Sequence, residues 1–292
     1  MNILVWTDRD LDGTGSALAI KWLYGSKADT FIIHEVTGIT LSGKFKGVLG
    51  TLDHYDKIYV LDLDLSSIPE ASEVIDRDNV VIIDHHGTHA ENKDRYKKAK
   101  VVIEPYSSCT KLICDKFKTA LSLTDSQKQL VDYINGFDCF DTKKVHGFKL
   151  NAIYRGLNNP KAEKFINSFH SGFREYSVHE KNCIKLYFKK LKEQIQNAQL
   201  YKGNIKDYSI VATFADYAIN EVAHLIIKKH NADIAIIVNT AAKTVSFRRA
   251  KGSTVDVSIL AKNLCNGSGN PSAAGGPLTE QFANLTKTFI PC

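Results

Sequence analysis

The chain has 292 residues, is 43% hydrophobic and carries a formal net charge of +6. That length suits two domains of ordinary size, and no apolar run approaches the roughly 18 residues that span a bilayer, which argues against a membrane protein. The six cysteines lack paired C-x-x-C spacing, which argues against a zinc module or a dense disulfide scaffold and for reduced thiols in a cytoplasmic protein.

The N-terminal residues Met1 to Asp8 have no basic region and turn acidic at once, so no signal peptide is expected. The charge is uneven. Residues 1–90 carry 14 Asp/Glu against 7 Lys/Arg, and the remainder carries 31 Lys/Arg against 18 Asp/Glu. An acidic part beside a basic part suits a metal centre next to a surface that holds polyanions.

In chain order, residues 2–6 read as a first strand and Gly13 to Tyr24 as a helix with Ala17, Leu18, Ile20, Trp22 and Leu23 mostly buried. Phe31-Ile32-Ile33 is a second strand and residues 57–62 a third. A helix follows near Pro69–Arg77, where proline suits the first turn. Residues 79–83 form a fourth strand and Val101-Val102-Ile103 a short fifth. Strands alternating with helices imply an α/β fold with a mostly parallel sheet. Ser108–Leu121 reads as a helix. Thr124-Asp125-Ser126-Gln127 resembles a capping box, opening a helix that runs to about Asn135 and ends near Gly136.

From Pro160 to about Leu200 the chain is strongly helical in character, and residues 159–203 read as a helical connector. After it the pattern resets into a second, smaller α/β unit over 204–292. That unit holds a strand at Ser209–Phe214, a helix at Ile219–Lys229 and a hairpin of Ala232–Asn239 with Thr244–Phe247. A helix at Val255–Cys265 follows, then a loop at Asn266–Pro271.

Three apolar runs end in metal-type ligands. Ile3 to Trp6 is followed by Asp8, Asp10 and Asp12; Ile58 to Leu61 by Asp62 and Asp64; Val80 to Ile83 by Asp84, His85 and His86. Open α/β sheets do their chemistry beyond the carboxyl ends of their strands. If the chain stays extended past Asp8, the three alternating carboxylates share one side, and such crowding needs a cation. Phe137-Asp138-Cys139-Phe140 adds a further carboxylate. Carboxylates with imidazole and no thiolate suit Mn²⁺, Mg²⁺ or Fe²⁺. The ligands suffice for two ions bridged by one carboxylate, which activate water against a phosphoryl group.

These motifs resemble those of the DHH phosphoesterase superfamily with a DHHA1-type C-terminal domain. Thr7-Asp8-Arg9-Asp10-Leu11-Asp12-Gly13 is similar to the D-x-D-x-D-G form of RecJ-type exonucleases, with Trp6 where other members carry histidine. The resemblance implies that Asp8 takes over that histidine's ligand role beside Asp10 and Asp12, that Asp62 bridges the ions, and that His85 and Asp138 complete the set. It implies that Asp84 orients the imidazoles and that His86 contacts the scissile phosphate. At the other end, Val245 to Arg248, Val255 to Ala261 and Gly267-Ser268-Gly269-Asn270-Pro271-Ser272-Ala273-Ala274-Gly275 follow the DHHA1 pattern. There Arg248, Gly267, Ser268, Gly269 and Asn270 are implied to hold the nucleotide end of the substrate. Asn270 stands where the family has histidine.

The resemblance implies domains at 1–158 and 204–292 with the active-site cleft between them. It also implies a Mn²⁺-dependent phosphodiesterase for short RNA or DNA oligonucleotides or small nucleotides, with a homodimer allowed for and no membrane partner. A RecJ-like single-strand exonuclease, a pyrophosphate or polyphosphate hydrolase and a non-catalytic nucleic-acid-binding relative stay open. Asp10-Leu11-Asp12-Gly13-Thr14 also matches the signature of haloacid dehalogenase-type phosphatases. Those need the nucleophile directly after the strand, and here Thr7-Asp8-Arg9 intervenes. Asp64 and Asp141 are expected in surface or capping roles, and His89, His146, His170 and His224 as ordinary loop or helix residues.

Overall fold

Valine- and isoleucine-rich runs favour the pleated backbone, and five of them form a parallel sheet whose strands are apolar on both faces. In the computed structural model, which describes residues 1–36, 51–66, 68, 71, 74–280, 282, 284 and 290–291, these are β1 (Asn2–Asp8), β2 (Thr30–Val36), β3 (Lys57–Leu61), β4 (Val80–Asp84) and β5 (Lys100–Ile103). Their order in the sheet is β2-β1-β3-β4-β5. Alternate residues face two cores. Ile3, Val5, Tyr59, Leu61, Val81 and Ile83 lie in one, and Leu4, Trp6, Ile58, Val60, Val80 and Ile82 in the other.

The first core is covered by helices: α1 (Leu11–Tyr24), α3 (Cys109–Lys116), α4 (Asp125–Asp138), α5 (Val145–Gly156) and α6 (Lys161–Phe169) each place apolar side chains on it. A short α2 (Gly87–Ala90) follows β4. The helix expected near Pro69–Arg77 begins at Pro69, outside the described residues.

Contacts divide the chain into Met1–Lys185 and Leu186–Cys292, and α7 (Val178–Asn197) runs across that boundary. The segment expected to be continuously helical is thus two helices, α6 and α7, parted near Gly172, whose φ is +104°. The second unit carries a seven-stranded sheet in the order β10-β11-β9-β8-β7-β6-β12. Its strands are β6 (Leu200–Ile205), β7 (Tyr208–Phe214), β8 (Ile234–Asn239), β9 (Thr244–Arg249), β10 (Ser268–Asn270), β11 (Ala273–Pro277) and β12 (Ile290–Pro291). Among the described residues only β7 and β8 pair in parallel in this sheet. Helices α8 (Ile219–His230) and α9 (Val257–Cys265) bury Val222, Ala223 and Ile226, and Val257 and Ala261, in the two cores of that sheet.

Three expectations are corrected. The alternation of Asp8, Asp10 and Asp12 fails, because β1 ends at Asp8 and α1 begins at Leu11, so Asp12 is helical. Helix α4 does not stop near Gly136 but continues to Asp138. Gly136 is there for contact, since a Cβ would meet Lys144 at 2.6 Å. The loop expected at Asn266–Pro271 contains β10, which pairs with β11.

Candidate metal centre

Register in the parallel sheet builds the site. Thr7 pairs with Leu61 and Leu61 with Ile83, so the next residues, Asp8, Asp62 and Asp84, stand at one level at the carboxyl ends of their strands. The order β2-β1-β3 reverses chain direction across the sheet at β1 and β3, the switch point where crevices open. Asp62 has a left-handed backbone, φ 56°, while its N–H still bonds to the Ile83 carbonyl at 2.9 Å. That conformation is costly for aspartate and aims its side chain.

The turn after β1 is held by Asp10, whose Oδ1 accepts from Gly13 N–H at 2.8 Å and caps α1. Gly13 allows that turn, since a Cβ would meet the Asp8 carbonyl oxygen at 2.4 Å. Asp12, 2% exposed, accepts from the N–H groups of Cys109 at 2.6 Å and Thr110 at 3.0 Å. These open α3, where the helix dipole favours a carboxylate.

His85 is the hub. Its Nδ1 donates to the Tyr106 carbonyl at 3.2 Å. Its Nε2 lies 3.2 Å from Asp62 Oδ1, 3.8 Å from Asp12 Oδ2 and 3.8 Å from Asp138 Oδ2. Asp62, His85 and His86 form one group of potential ligands, and Asp12, His85 and Asp138 a second. Within each group the ligand atoms lie within 4.8 Å of one another. Asp8 and Asp10 are in neither group. Asp8 accepts from Arg9 N–H at 2.7 Å, and Asp10 acts on Asp62 and Asp138 through its charge.

The electrostatics are lopsided. Burial, then the charge of Asp10, pushes the Asp8 carboxyl up to about 7. Burial and Asp12 raise Asp10. Burial, then Asp12, Asp10, Asp138 and Asp84, holds Asp62 well above the carboxylate range, and burial with Asp12 and Asp10 does the same to Asp138. Asp62 Oδ1 is buried with no hydrogen-bond partner. His85, whose Nδ1 is held by the Tyr106 carbonyl, turns its Nε2 toward three carboxylates. Such a set is repulsive until a cation lies among it. An orphaned oxygen, an oriented imidazole and hard oxygen donors therefore fit a divalent ion.

Behind the hub stands Asp84, fully buried. Its Oδ1 accepts from His85 N–H at 2.9 Å and His86 Nδ1 at 2.7 Å, and its Oδ2 from His89 Nδ1 at 2.7 Å. Burial alone would raise Asp84, yet the bonds and charges of the two imidazoles hold it well below its ordinary range. Burial likewise lowers His86, but Asp84, with Asp64 and Asp138 beyond it, raises it to about 9. His89, expected to be ordinary, is 0% exposed, and its Nε2 meets the Tyr96 hydroxyl at 3.0 Å. Its spacing from Asp84 on a short helix after the strand was the available signal. Asp64 caps Ser66 N–H and accepts from the Thr88 hydroxyl.

In the second unit, Arg248 lies on β9. Its Nε and Nη2 donate to Asn220 Oδ1 at 3.0 and 2.6 Å, and its Nη1 to the carbonyls of Phe247 and Ala274. Burial brings it down to about 10. Asn270 Oδ1 accepts from Ser272 N–H, Ser272 Oγ and Ala273 N–H at 2.8–2.9 Å, closing the β10–β11 turn. Gly267 permits close passage of that hairpin, since a Cβ would lie 2.2 Å from the Gly275 oxygen. Ser268 is exposed and Gly269 has φ +145°.

The model of the DHH family, N-terminal domain, matches residues 2–134. No curated protein matches the chain. Among solved structures, an exopolyphosphatase-related protein from Bacteroides fragilis is similar at 16% identity and TM-score 0.56, over 98% of this chain and 90% of that one. The DHH domain of a member of the S1p family of ribosomal proteins aligns at 12% identity and TM-score 0.63, over 98% and 86%. RecJ in complex with Mn²⁺ from Thermus thermophilus aligns at 12% identity and TM-score 0.58, over 98% of this chain but 51% of that one. No helix among the described residues is long and apolar enough to cross a membrane. At these identities the likeness to the solved structures is one of fold, and the family match identifies residues 2–134 as a DHH-family N-terminal domain.

Proposed function

We propose that this chain is a divalent-metal-dependent phosphodiesterase, with Mn²⁺ as its working ion, acting on short oligonucleotides or small nucleotides. The observation that carries this reading is the convergence of His85 Nε2 with Asp62, Asp12 and Asp138, with one Asp62 oxygen buried and lacking a hydrogen-bond partner. Asp8, Asp10, Asp12, Asp62, His85 and Asp138 would hold the ions. Bound ions supply neutralisation of the carboxylates and an activated water for attack on phosphorus.

The chain's own residues do the rest. Asp84 fixes both imidazoles by accepting from His86 and from the backbone of His85. His86, raised to about 9, is protonated at neutral pH and presents positive charge to a phosphate oxygen. A proton at its Nε2 is placed to stabilise charge developing on that oxygen. Arg248 and the Gly267–Asn270 hairpin are the proposed holders of the nucleotide end, a role supported by the DHHA1-like motif.

The test is hydrolysis by the purified chain with Mn²⁺ of labelled RNA and DNA from two to twenty nucleotides, alongside cyclic dinucleotides and pyrophosphate. Fastest turnover on dimers to pentamers supports the reading. Equal rates on long single strands would replace it with a RecJ-like exonuclease, and turnover of pyrophosphate alone with a pyrophosphate hydrolase.

A further inference from the structure

The N-terminal unit holds a group of cations that the carboxylate–histidine site does not use. Arg9 is exposed and sits between Asp8 and Asp10 in the turn after β1. Its Nη2 donates to Asn159 Oδ1 at 3.0 Å. Arg155 is exposed near the end of α5, and Lys161 opens α6. Lys161 Nζ donates to the Arg155 carbonyl at 3.1 Å and lies 5.6 Å from the centroid of the Tyr154 ring. Three cations from separate elements thus converge on the α5–α6 connection.

Their counter-charge is scant. Glu35, which faces Lys161, already accepts from the Tyr154 hydroxyl at 2.6 Å and from the N–H groups of Lys161 and Ala162 at 3.0 Å. Its role is to seat the start of α6. Among the described residues, Arg9, Arg155 and Lys161 form no ion pair with any carboxylate. Burial and the fields of Arg155 and Arg9 push the Lys161 ammonium below its ordinary value, against the opposing charge of Glu35. The cluster adjoins the proposed centre, because the charge of Arg155 is felt at Asp10 and Arg9 is its chain neighbour.

We propose that Arg9, Arg155 and Lys161 form a cationic subsite for a second phosphate of the same substrate, beside the phosphodiester held at the carboxylate–histidine centre. Guanidinium and ammonium groups read a phosphate by forked and point contacts. The subsite favours a substrate that carries charge beyond the bond being cut, either a terminal phosphate or the next diester. This inference rests on the phosphodiesterase reading above.

The test compares the full chain in Mn²⁺ on ApA, which has one diester, on pApA, which adds a terminal phosphate, and on ApApA, which adds a second diester. The wild type is expected to prefer pApA or ApApA over ApA by roughly tenfold in kcat/KM. Arg155→Gln and Lys161→Gln should each move that ratio toward one, while Arg155→Lys keeps part of it. Thermal melts of each variant confirm folding. Which of the two longer substrates gains identifies the phosphate as monoester or diester. Equal wild-type rates on all three substrates, or an unchanged ratio in Arg155→Gln and Lys161→Gln, overturn the subsite and leave the phosphodiesterase reading standing. Hydrolysis of none of the three by the wild type overturns that reading, and the subsite with it.

Discussion

The two units both gather polar side chains around a sheet, yet they treat them in opposite ways. In the N-terminal unit the carboxyls of Asp8, Asp10, Asp62 and Asp138 are all pushed up by burial and by one another, and Asp62 Oδ1 has no partner. In the C-terminal unit Arg248 is bonded to Asn220 and to two carbonyls, and the Asn270 oxygen takes three donors. One region crowds carboxyls that raise one another, and the other ties its polar groups to its own backbone and side chains. Strain left unrelieved beside satisfied surroundings is the signature of a site awaiting a partner.

The sharpest way to break that contrast is Asp62→Asn. Activity should fall on the order of 10³-fold, while the metal-free protein should melt higher, because a buried ionisable group with a high cost is gone. Retained turnover would show that Asp62 is no part of the centre. The wild type offers a second test through pH. Asp8 moves from 3.8 to about 7, so its folded form keeps a proton that the unfolded chain has lost. Metal-free stability should therefore rise as pH falls through about 7, and level off near the ordinary carboxylate value. His86 acts in the same direction, its contribution being complete below 6.5 and lost as pH rises through about 9. Asp84 acts oppositely, and its contribution goes as pH drops below 3.8. Melting curves from about pH 4 to pH 9, with and without Mn²⁺, read this directly, and added ion should flatten the alkaline limb.

A smaller effect is expected of His89→Ala. The Asp84 oxygen it serves would be left buried without its donor, costing about 1–3 kcal/mol, and Mn²⁺ affinity should weaken about 10–100-fold. A calorimetric titration measures the second effect, and His89→Gln should restore part of it. The smallest belongs to Asn270→Ala. Three donors on an exposed turn lose their acceptor, for about 1 kcal/mol or less, with Mn²⁺ affinity unchanged. A loss of ion binding there would erase the distinction between the units.

Much of this arrangement was legible in the chain. The strands of the first sheet were recognisable because each is a short run of branched apolar residues. Asp62, Asp84 and His85 were identifiable because they follow those runs directly. Asp12 was recognised for the wrong local reason: an extended chain would have aligned it with Asp8 and Asp10, whereas the start of α1 turns it onto the N–H groups of Cys109 and Thr110. Helix α4 was read as ending too early because glycine is usually a terminator, and nothing local reveals that Lys144 needs the space at Gly136. The tie between His89 and Asp84 had only its spacing as a local signal, since burial of an imidazole depends on Tyr96 and the surrounding core.

Local chemistry and periodicity by themselves determined the α/β class, the alternation of strand and helix, and the identity of the acidic and imidazole groups that end the strands. Only the tertiary structure decided which of those groups converge. It turned His85 toward Asp12, Asp62 and Asp138, left Asp8 and Asp10 facing their own backbone, and brought Arg9, Arg155 and Lys161 to one connection. The physical reason is that a side chain's partners across the fold are set by strand register and helix packing, which depend on residues far away in the chain.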